Sequence, residues 1–485
     1  MRRARHALFI LFLLSVFPAL SFAEGRITDQ WMEILMNGRK IGFSHQRVTR
    51  TKAGYTVEGK ALMRFEMQGT TQDISTSQTY FLDASFHPIR YTYMQKMLNN
   101  RQFFEGVVEG KKMRVTVKSA GNVTHKTIDM EEGGYIADAV GLLLGSKKLR
   151  EGDKYTYKVF IEPLLAYDTM LVEVGKEAEM EYAGKKEKVF PVTMRLKSFH
   201  TVSYITMGGR VLREVSPMGF VSQAVDEAQA IAFPQGAMSF TNLLAYSLIP
   251  LEKPLENASA ISALDVRITG LSSSGLIPQD DRQKVTGAKK AIGNESDTWT
   301  IDLSIRANDV ASVSRLQRPA GDKFAKEMEP SIEAQSDDPD IARESAKIVG
   351  GEKDMFAAAV KINRWVYENV KKKYIDTFSA VATLKTMEGE CQSHTNLFAA
   401  LARAAGIPTR TVSGIVYSQE YGGFLYHAWA EVYAGKWIAM DPTFGQDMAD
   451  ATHIKLTDGE LSSQMQLFEF IGKIGVEVVS TGGGK

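Results

Sequence analysis

The feature that most constrains the fold is an alternation of apolar and polar residues that runs from about residue 28 to residue 245. Tight-turn pairs separate the alternating runs: Asn37-Gly38, Glu109-Gly110, Ala183-Gly184 and Gly208-Gly209. An Asn-Gly pair between two such runs is a strong hairpin signal, because both central residues of the turn need a positive φ angle. The pattern predicts a large antiparallel β meander. One helix is predicted within it, over Tyr135–Leu144.

The first 23 residues predict a secretory signal peptide. Three arginines among the first five residues precede the apolar stretch Ala7–Phe17, and Ser21-Phe22-Ala23 fits the small-residue cleavage rule. The stretch is shorter than the roughly 20 residues of a membrane helix, so a cleaved signal is favoured over an uncleaved anchor. We expect the mature protein to begin at or near Glu24 and to be exported, either periplasmic or secreted. No later segment is expected to span a membrane.

The charge balance excludes one class of partner. The net charge is +1, and no long run of one sign occurs among the 485 residues. Nucleic acid and strongly anionic surfaces attract basic patches, so neither is an expected partner. The length allows two or three domains.

The chain has a single cysteine, Cys391, which follows a glycine-glutamate pair. It begins a predicted helix, CQSHTNLFAALARAAG, which ends at Gly406. The first turn of a helix stabilises a thiolate, and such a position lowers a thiol pKa from about 8.5 toward about 3.5–7.5. A single cysteine cannot form an internal disulfide. At this point a nucleophile and a buried core cysteine both remain open.

A predicted hairpin downstream brings a histidine and an aspartate together. The segment FLYHAWAEVYAGKWIAMDPT contains two strand-like runs joined at Tyr433-Ala434-Gly435. A three-residue loop with glycine last places Val432 opposite Lys436, and therefore His427 opposite Asp441. Opposed residues have Cβ atoms about 5 Å apart. A carboxylate at that distance fixes the tautomer of an imidazole, which can then take and return a thiol proton.

These motifs resemble the transglutaminase-like superfamily, whose members share a papain-type thiol architecture. The similarity extends from about Asp338 to Leu456, roughly a quarter of the chain, through GEC, AGIPTR, TVSG, HAWAEV and W-x-x-x-DPT. The resemblance implies that Cys391 is the nucleophile, His427 the general base and acid, and Asp441 the orienting carboxylate. It implies no cofactor.

Two positions depart from the animal transglutaminases. Those enzymes carry glutamine before the nucleophile and tryptophan after it, where this chain has Glu390 and Gln392. Their calcium-binding elements have no recognisable counterpart here, which places cross-linking in doubt. We expect an exported cysteine peptidase or amidohydrolase that acts through a thioester on a protein or peptide of the cell envelope. The alternatives are a protein-glutamine γ-glutamyltransferase, which cross-links or deamidates, and an envelope binding or assembly protein whose β-rich half is the working part.

The expected fold class is α+β, with a transglutaminase-like (papain-like) domain at the C-terminus and a large antiparallel β-rich region before it. The expected boundaries are a signal peptide at 1–23, a β-rich domain at 24–250, a small β module or linker at 251–325, a catalytic domain at 326–460 and a C-terminal extension at 461–485.

Residues around the predicted triad have further possible roles. The backbone N–H of Cys391 is the first expected oxyanion donor, and the side chain of Gln392 or another backbone group is the second. Trp429 is expected to pack over the imidazole. Tyr421 lies in a glycine-rich loop that either lines an acyl subsite or forms a surface hairpin.

Other polar residues near the triad are expected to be structural. Glu431 is expected to contact Arg410, and His453 lies past the triad. His394 follows Cys391 by three residues, so a rival Cys-His pair or a metal site is conceivable. Since no other cysteine or histidine cluster accompanies it, no metal site is predicted.

Overall fold

The computed structural model of the chain divides into two compact units, with the boundary between Asn242 and Leu243. It describes residues 25–483 except 68–69, 98–99, 120–121, 197–198, 217–218, 234–237, 240–247, 292–297, 310, 312, 374–378 and 460–464. The predicted signal peptide therefore lies outside the described residues.

The N-terminal unit is a β-rich region built on one sheet of 17 strands in the part that is described. Strand β1 pairs antiparallel with both β2 and β16, and so joins two runs of hairpins into one sheet. The strands are β1 (Gly25–Met36), β2 (Arg39–Thr51), β3 (Gly54–Met67), β4 (Thr70–Leu82), β5 (Pro88–Met97), β6 (Asn100–Glu109), β7 (Lys112–Ser119), β8 (Asn122–Asp129), β9 (Tyr135–Ile136), β10 (Lys154–Ile161), β11 (Ala166–Val174), β12 (Ala178–Tyr182), β13 (Lys185–Leu196), β14 (Phe199–Thr206), β15 (Val211–Val215), β16 (Phe220–Val225) and β17 (Met238–Ser239).

Local sequence explains most of this meander. Asn37-Gly38 and Ala183-Gly184 both have positive φ angles at the two central turn positions, as two-residue hairpin turns require. Alternate residues of β7 are buried, and they pack with Tyr80, Tyr91 and Phe160 into one apolar core.

The helix predicted at 135–144 is shorter than expected. Tyr135 and Ile136 instead pair in parallel with β10, because their extended backbone completes that edge. A single 3₁₀ turn (Ala137–Ala139) follows, and helix α1 covers only Val140–Gly145. A second short helix, α2, covers Glu227–Ile231.

The C-terminal unit combines helices with two antiparallel sheets and one parallel sheet of two short strands in its described residues. Its helices are α3 (Ala325–Met328), α4 (Pro339–Val349), α5 (Met355–Asn369), α6 (Ala380–Thr386) and α7 (Cys391–Ala404). Its strands are β18 (Ile249–Pro250), β19 (Ala263–Leu271), β20 (Gln283–Ala291), β21 (Thr298–Arg306), β22 (Lys371–Lys372), β23 (Glu388–Gly389), β24 (Thr409–Ser418), β25 (Gly423–Tyr433), β26 (Trp437–Met440), β27 (Ile454–Asp458) and β28 (Gly475–Gly482).

Four of the five helices described for this unit, α4 to α7, begin at side-chain caps that the sequence supplies. Asp338, Asp354, Ser379 and Glu390 each accept a hydrogen bond from a backbone N–H in the first turn that follows. Helix α7 is buried along almost its whole length, with Leu397, Phe398 and Leu401 fully enclosed. It therefore holds its first residue in a fixed place.

The two antiparallel sheets of this unit differ in size and in strand order. The larger one orders its strands β18-β25-β24-β27, with β26 paired to β25, and packs against α7. The smaller one orders its strands β20-β21-β19-β28. Its edge strand β28 comes from the segment expected as a C-terminal extension, and it pairs with β19 about 200 residues earlier.

None of the helices in the described ranges is long and apolar enough to cross a membrane.

Candidate active site

The thiol of Cys391 lies at the start of a helix whose capping residue is its direct neighbour. The carboxylate of Glu390 accepts hydrogen bonds from the backbone N–H groups of Gln392 (3.1 Å) and Ser393 (3.2 Å). Cys391 itself is only 6% exposed. The cap and the buried helix together fix the position of the sulfur.

The surroundings of the sulfur oppose its ionisation. The thiol donates a hydrogen bond to Oε2 of Glu390 at 3.0 Å, and the backbone N–H of Ala428 donates to the sulfur. Burial raises the pKa of Cys391 well above its ordinary value, the Glu390 carboxylate raises it further, and the Ala428 N–H only partly offsets this. The expectation that the helix start lowers this pKa is therefore wrong, because burial outweighs the helix start and the capping carboxylate occupies its positive end.

Strand β25 and the residue after β26 supply an imidazole–carboxylate pair. Nε2 of His427 lies 2.8 Å from Oδ2 of Asp441, and both side chains are fully buried. Oδ1 of Asp441 accepts from the backbone N–H groups of Thr443 (2.7 Å) and Phe444 (3.0 Å). Burial acts to raise the pKa of Asp441, but the neighbouring imidazoles hold it well below its usual range.

The hairpin that carries this pair has a different register from the predicted one. Tyr433 pairs with Trp437, so the loop is Ala434-Gly435-Lys436 and the ladder is shifted by two residues. The predicted loop begins one residue too early, because it places glycine last; Gly435, with φ +87°, is in the middle. A shift of two keeps every side chain on the same face. Asp441, past the end of β26, therefore still reaches His427.

The residue opposite the histidine in the sheet is a glycine, because a side chain would not fit there. Gly414 of β24 pairs with His427 of β25. A Cβ atom at Gly414 would lie 2.1 Å from the carbonyl oxygen of Ile454 and 2.7 Å from the ring of Trp429. The TVSG motif therefore ends in glycine because two neighbours occupy the space of a side chain.

Two aromatic rings flank the imidazole. The ring of Phe444 stacks on His427 with centroids 4.7 Å apart and an interplanar angle of 7°. The ring of Trp429, which the sequence predicts to pack over the imidazole, lies farther away. Its centroid is 6.3 Å from that of His427, with an interplanar angle of 22°. Sequence reasoning missed Phe444, although it directly follows the DPT motif.

A second histidine also hydrogen bonds the aspartate. Nε2 of His453 lies 3.0 Å from Oδ2 of Asp441, and its Nδ1 lies 3.2 Å from Oδ1 of Asp450. Burial acts to lower the pKa of His453, but Asp450 and the hydrogen bonds to both carboxylates raise it to about 9. His453 is thus an imidazolium held between two carboxylates. The only sequence signal for it is the Asp-x-x-His spacing after the predicted triad.

The same three buried side chains have the composition of a metal site. The ligand atoms of His427, Asp441 and His453 lie within 4.8 Å of one another and could hold an ion. Oδ2 of Asp441, however, already accepts a hydrogen bond from each histidine. These two hydrogen bonds account for the cluster without an ion.

The small sheet anchors the loop that carries His453. Arg282, fully buried, donates from Nη1 to the carbonyl oxygen of His453 at 2.7 Å, and from Nη2 to the carbonyl oxygens of Ala449 (3.4 Å) and Asp450. The side chain of Gln283 exchanges two hydrogen bonds of 2.9 Å with the backbone of Lys455. A part of the chain expected as a module or linker therefore supports the site.

The remaining predicted residues occupy varied positions. Glu431 accepts from Nε of Arg410 at 2.6 Å, which confirms the expected structural contact. The two ring nitrogens of His394 lie 2.8 and 3.2 Å from the backbone carbonyl oxygens of Glu390 and Val370, so this imidazole is part of the scaffold. The backbone N–H of Gln392 bonds to the helix cap, and its side chain remains a predicted oxyanion donor.

A cavity of about 640 Å³ adjoins Phe444, the ring that stacks on the imidazole. Eleven residues line it: Glu256, Asn257, Ala258, Ser259, Val416, Tyr417, Gln419, Phe444, Gln446, Asp450 and Thr452. The predicted glycine-rich loop contributes Tyr417 and Gln419, while Tyr421 is half-buried and is not among the lining residues. A subsite role for Tyr421 remains a prediction.

Comparison with known proteins identifies this region. Residues 343–442 match the sequence profile of the Transglutaminase-like superfamily. Kyphoscoliosis peptidase from Mus musculus is 32% identical over 99 residues, which are 19% of this chain and 15% of the relative. The Homo sapiens protein of the same name is 31% identical over 96 residues, 18% of this chain and 14% of the relative. The chain thus spans about 15% of the length of these curated relatives.

Solved structures give weaker similarities. A candidate cysteine protease from Cytophaga hutchinsonii has 17% identity and a TM-score of 0.32, over 46% of this chain and 86% of that one. A β-barrel-like protein from Brucella abortus, from a family of unknown function, has 14% identity and a TM-score of 0.32, over 42% of this chain and 96% of that one.

Proposed function

We propose that this chain, which carries a transglutaminase-like domain over residues 343–442, is a cysteine peptidase or amidohydrolase. The observation that carries the proposal is the fully buried hydrogen bond between His427 and Asp441, on the strand whose Ala428 N–H donates to the sulfur of Cys391. A cysteine that only filled the core would not need an imidazole–carboxylate pair on the neighbouring strand. The curated relatives over this region are named as peptidases, which supports hydrolysis of amide bonds.

The proposed reaction begins at the sulfur of Cys391. The sulfur attacks the carbonyl carbon of an amide while the thiol proton passes to His427, and Asp441 stabilises the imidazolium that forms. Since Nε2 of His427 is held by Asp441, the ring nitrogen that exchanges this proton is Nδ1. The imidazolium then protonates the leaving amine as the C–N bond breaks and a thioester remains. Water, deprotonated by His427, hydrolyses the thioester and restores the thiol.

The negative oxygen of the tetrahedral intermediate needs hydrogen-bond donors. The backbone N–H of Cys391 is our first choice, because it lies at the start of helix α7. The side chain of Gln392 is the second candidate. Removing one such donor typically costs about 100- to 1,000-fold in turnover.

The raised pKa of Cys391 determines how the attack proceeds. A thiolate–imidazolium pair formed in advance would require a low thiol pKa, and burial and Glu390 raise it instead. We therefore propose that proton transfer to His427 accompanies the attack. The thiol must first turn its hydrogen from Glu390, which accepts it at 3.0 Å, toward the imidazole.

Product analysis distinguishes hydrolysis from transfer. Envelope proteins incubated with the wild-type enzyme or with Cys391→Ala would be compared by mass spectrometry. New chain termini that depend on Cys391 support the proposed peptidase. Isopeptide links or deamidated glutamines would instead indicate a γ-glutamyltransferase, and identical products from both proteins would exclude the catalytic role of Cys391.

Substitution of Asp441 tests the pair itself. Asp441→Asn keeps the shape of the side chain but cannot stabilise an imidazolium. We expect turnover to fall by about 10- to 1,000-fold, less than the roughly four orders of magnitude of the comparable serine triad. The assay is peptide-amide hydrolysis, with a melting curve to show that the variant folds. Full activity in the Asp441→Asn variant would mean that another group orients His427.

We also propose that the enzyme is exported to a bacterial envelope. The proposal rests on the charged, apolar and small-residue pattern of residues 1–23. Amino-terminal sequencing of the native protein is expected to give a start at or near Glu24. A soluble cytoplasmic protein that retains Met1 would refute it.

A further inference from the structure

The cavity of about 640 Å³ is one aromatic ring away from the proposed catalytic imidazole, and neither His427 nor Cys391 lines it. Phe444, one of its lining residues, stacks on His427 at 4.7 Å. Asp450 and Thr452 line it as well, and both neighbour His453 in the loop that Arg282 anchors. Its volume is within the range of about 300–1,000 Å³ that is usual for ligand sites.

One wall of the cavity comes from outside the matched domain, at residues 256–259. Hydrogen bonds and strand pairing attach this segment to the catalytic sheet on both sides. Ile249 pairs with Phe424, and the backbone N–H of Leu255 donates to the hydroxyl of Tyr417 at 2.9 Å. Farther along, the backbone N–H of Ala451 donates to the carbonyl oxygen of Ile261 at 2.8 Å. The wall is therefore a built part of the site.

The charges of the lining have one sign. Its ionisable side chains are Glu256, Asp450 and Tyr417, and it contains no lysine, arginine or histidine among the eleven residues. Asp450 is occupied, since it binds His453 and accepts from Gln446 at 2.7 Å. Glu256 is exposed at the wall. Lys372 is a nearby cation outside the lining, with its Nζ 5.8 Å from the ring centroid of Phe444.

We propose that this cavity is a substrate subsite for a positively charged group, a lysine-like side chain or a free amine close to the attacked amide, with Glu256 as its ionic partner. The amide groups of Asn257 and Gln419 supply hydrogen-bond acceptors around the ammonium. The inference rests on the proposed function, because it assigns the substrate class of that same site.

The test compares peptide amides that differ at one position beside the attacked bond: lysine, norleucine or glutamate. Norleucine has the length of lysine without the charge. We expect wild-type kcat/KM to favour lysine over norleucine by about 3- to 5-fold, the range for an exposed ion pair, mainly through KM. The preference is expected to decrease in high salt.

Substitutions of the wall locate the preference. Glu256→Gln is expected to abolish it, and Glu256→Lys to reverse it in favour of the glutamate peptide. Glu252→Gln is the matched control, because Glu252 is an exposed glutamate of the same segment that does not line the cavity. We expect the control to keep the wild-type preference.

Binding to Cys391→Ala separates this inference from the proposed function. Calorimetric titration of that variant with the lysine and norleucine peptides measures the subsite without turnover. Equal affinities, or a preference that survives Glu256→Lys, would overturn the subsite while Cys391-dependent cleavage stands. Tighter lysine binding without any Cys391-dependent cleavage would support the subsite and refute the proposed reaction.

Discussion

At the scale of single residues, Glu390 has two effects that conflict. Its carboxylate caps helix α7 and so fixes the position of Cys391. The same carboxylate accepts the thiol hydrogen bond and raises the pKa of the thiol. The thiol of Cys391 is therefore kept protonated, which protects this single cysteine from oxidation.

Glu390→Gln is expected to make the thiol more reactive. The amide oxygen can still cap the helix, but the negative charge beside the sulfur is removed. We expect the rate of alkylation by iodoacetamide at pH 7 to rise, because burial still raises the thiol pKa but the Glu390 charge no longer adds to it. Mass spectrometry of modified Cys391 over pH 6–10 measures it.

The matched control for this substitution is Glu388→Gln, two residues away. The Glu388 carboxylate pairs with Lys373 at 2.8 Å rather than with the sulfur. An equal rise in both variants would mean that net charge, and not the Glu390–Cys391 contact, sets the reactivity.

His453 predicts how the C-terminal unit responds to alkaline pH. Its pKa is about 9 in the folded protein, against about 6.5 in an unfolded chain. Between these values the folded state binds the extra proton, so the stabilisation is complete below about pH 6.5 and is lost as pH rises through 9. We expect the free energy of unfolding of the wild type to fall by about 3 kcal/mol over this pH range, and that of His453→Gln to fall by less.

Melting curves at pH 6 and pH 9.5 check this prediction. His87→Gln is the control, because that imidazole is 39% exposed and belongs to the other unit. If His453→Gln and wild type lose stability equally, His453 is not held as an imidazolium.

At the scale of elements, local chemistry could be read from the sequence and distant pairing could not. The turn at Asn37-Gly38 and the helix that begins at Cys391 depend on neighbouring residues, and the sequence pattern predicts both. The hairpin register depends on which residue opens a three-residue loop, and a shift of two leaves the polar and apolar faces unchanged, so the sequence pattern cannot detect it. His453 reaches Asp441 only through a loop that Arg282 holds, about 170 residues earlier.

Arg282→Gln is expected to disturb the active site through that loop. A shorter amide cannot bond all three carbonyl oxygens, and each one left unsatisfied costs about 1–3 kcal/mol. We expect a lower melting temperature of the C-terminal unit and a lower kcat. The melting temperature and kcat of Arg282→Lys should lie between those of the wild type and of Arg282→Gln, because an ammonium lacks the planar fork of a guanidinium.

The control for Arg282 is Arg306→Gln on the same sheet. Arg306 is an exposed arginine paired with Asp265 at 2.9 Å, so its loss should cost less than about 1 kcal/mol. Unchanged activity in Arg282→Gln would show that the loop keeps its position without this anchor.

At the scale of the whole molecule, the two units differ in the ionisable side chains that they bury. Three of the carboxyl groups buried in the N-terminal unit, those of Asp138, Glu162 and Glu214, form no ion pair within its described residues. Tyr80 and Gln78 donate to Asp138, and Ser203 donates to Glu214. Burial raises their pKa values to about 6, 8 and 8, respectively. Near neutral pH Glu162 and Glu214 are therefore largely protonated, whereas Asp138 is protonated only below about pH 6.

The N-terminal unit is accordingly expected to be most stable in mild acid. An unfolded chain releases these protons near pH 4–4.5, whereas the folded unit keeps them up to about pH 6–8, so stability falls as pH rises over that interval. We expect its melting temperature to drop by about 5–10 °C between pH 5.5 and 8.5.

Calorimetry of wild type and Glu162→Gln measures this dependence and assigns the transition. The variant should show a weaker fall, while Glu181→Gln, an exposed glutamate of the same unit, should behave as wild type. A transition that is unaffected by pH in wild type would contradict the protonated interior.

The pairing of β28 with β19 has a consequence for synthesis of the protein. About 200 residues separate Leu271 from Gly475, and a ribosome needs about 10–40 s to add them at roughly 5–20 residues per second. During that delay one edge of β19 has no partner, and an open strand edge is a template for aggregation. Nascent chains are therefore expected to depend on holding chaperones until residues 475–482 emerge. By then the whole transglutaminase-like domain (343–442) has been made.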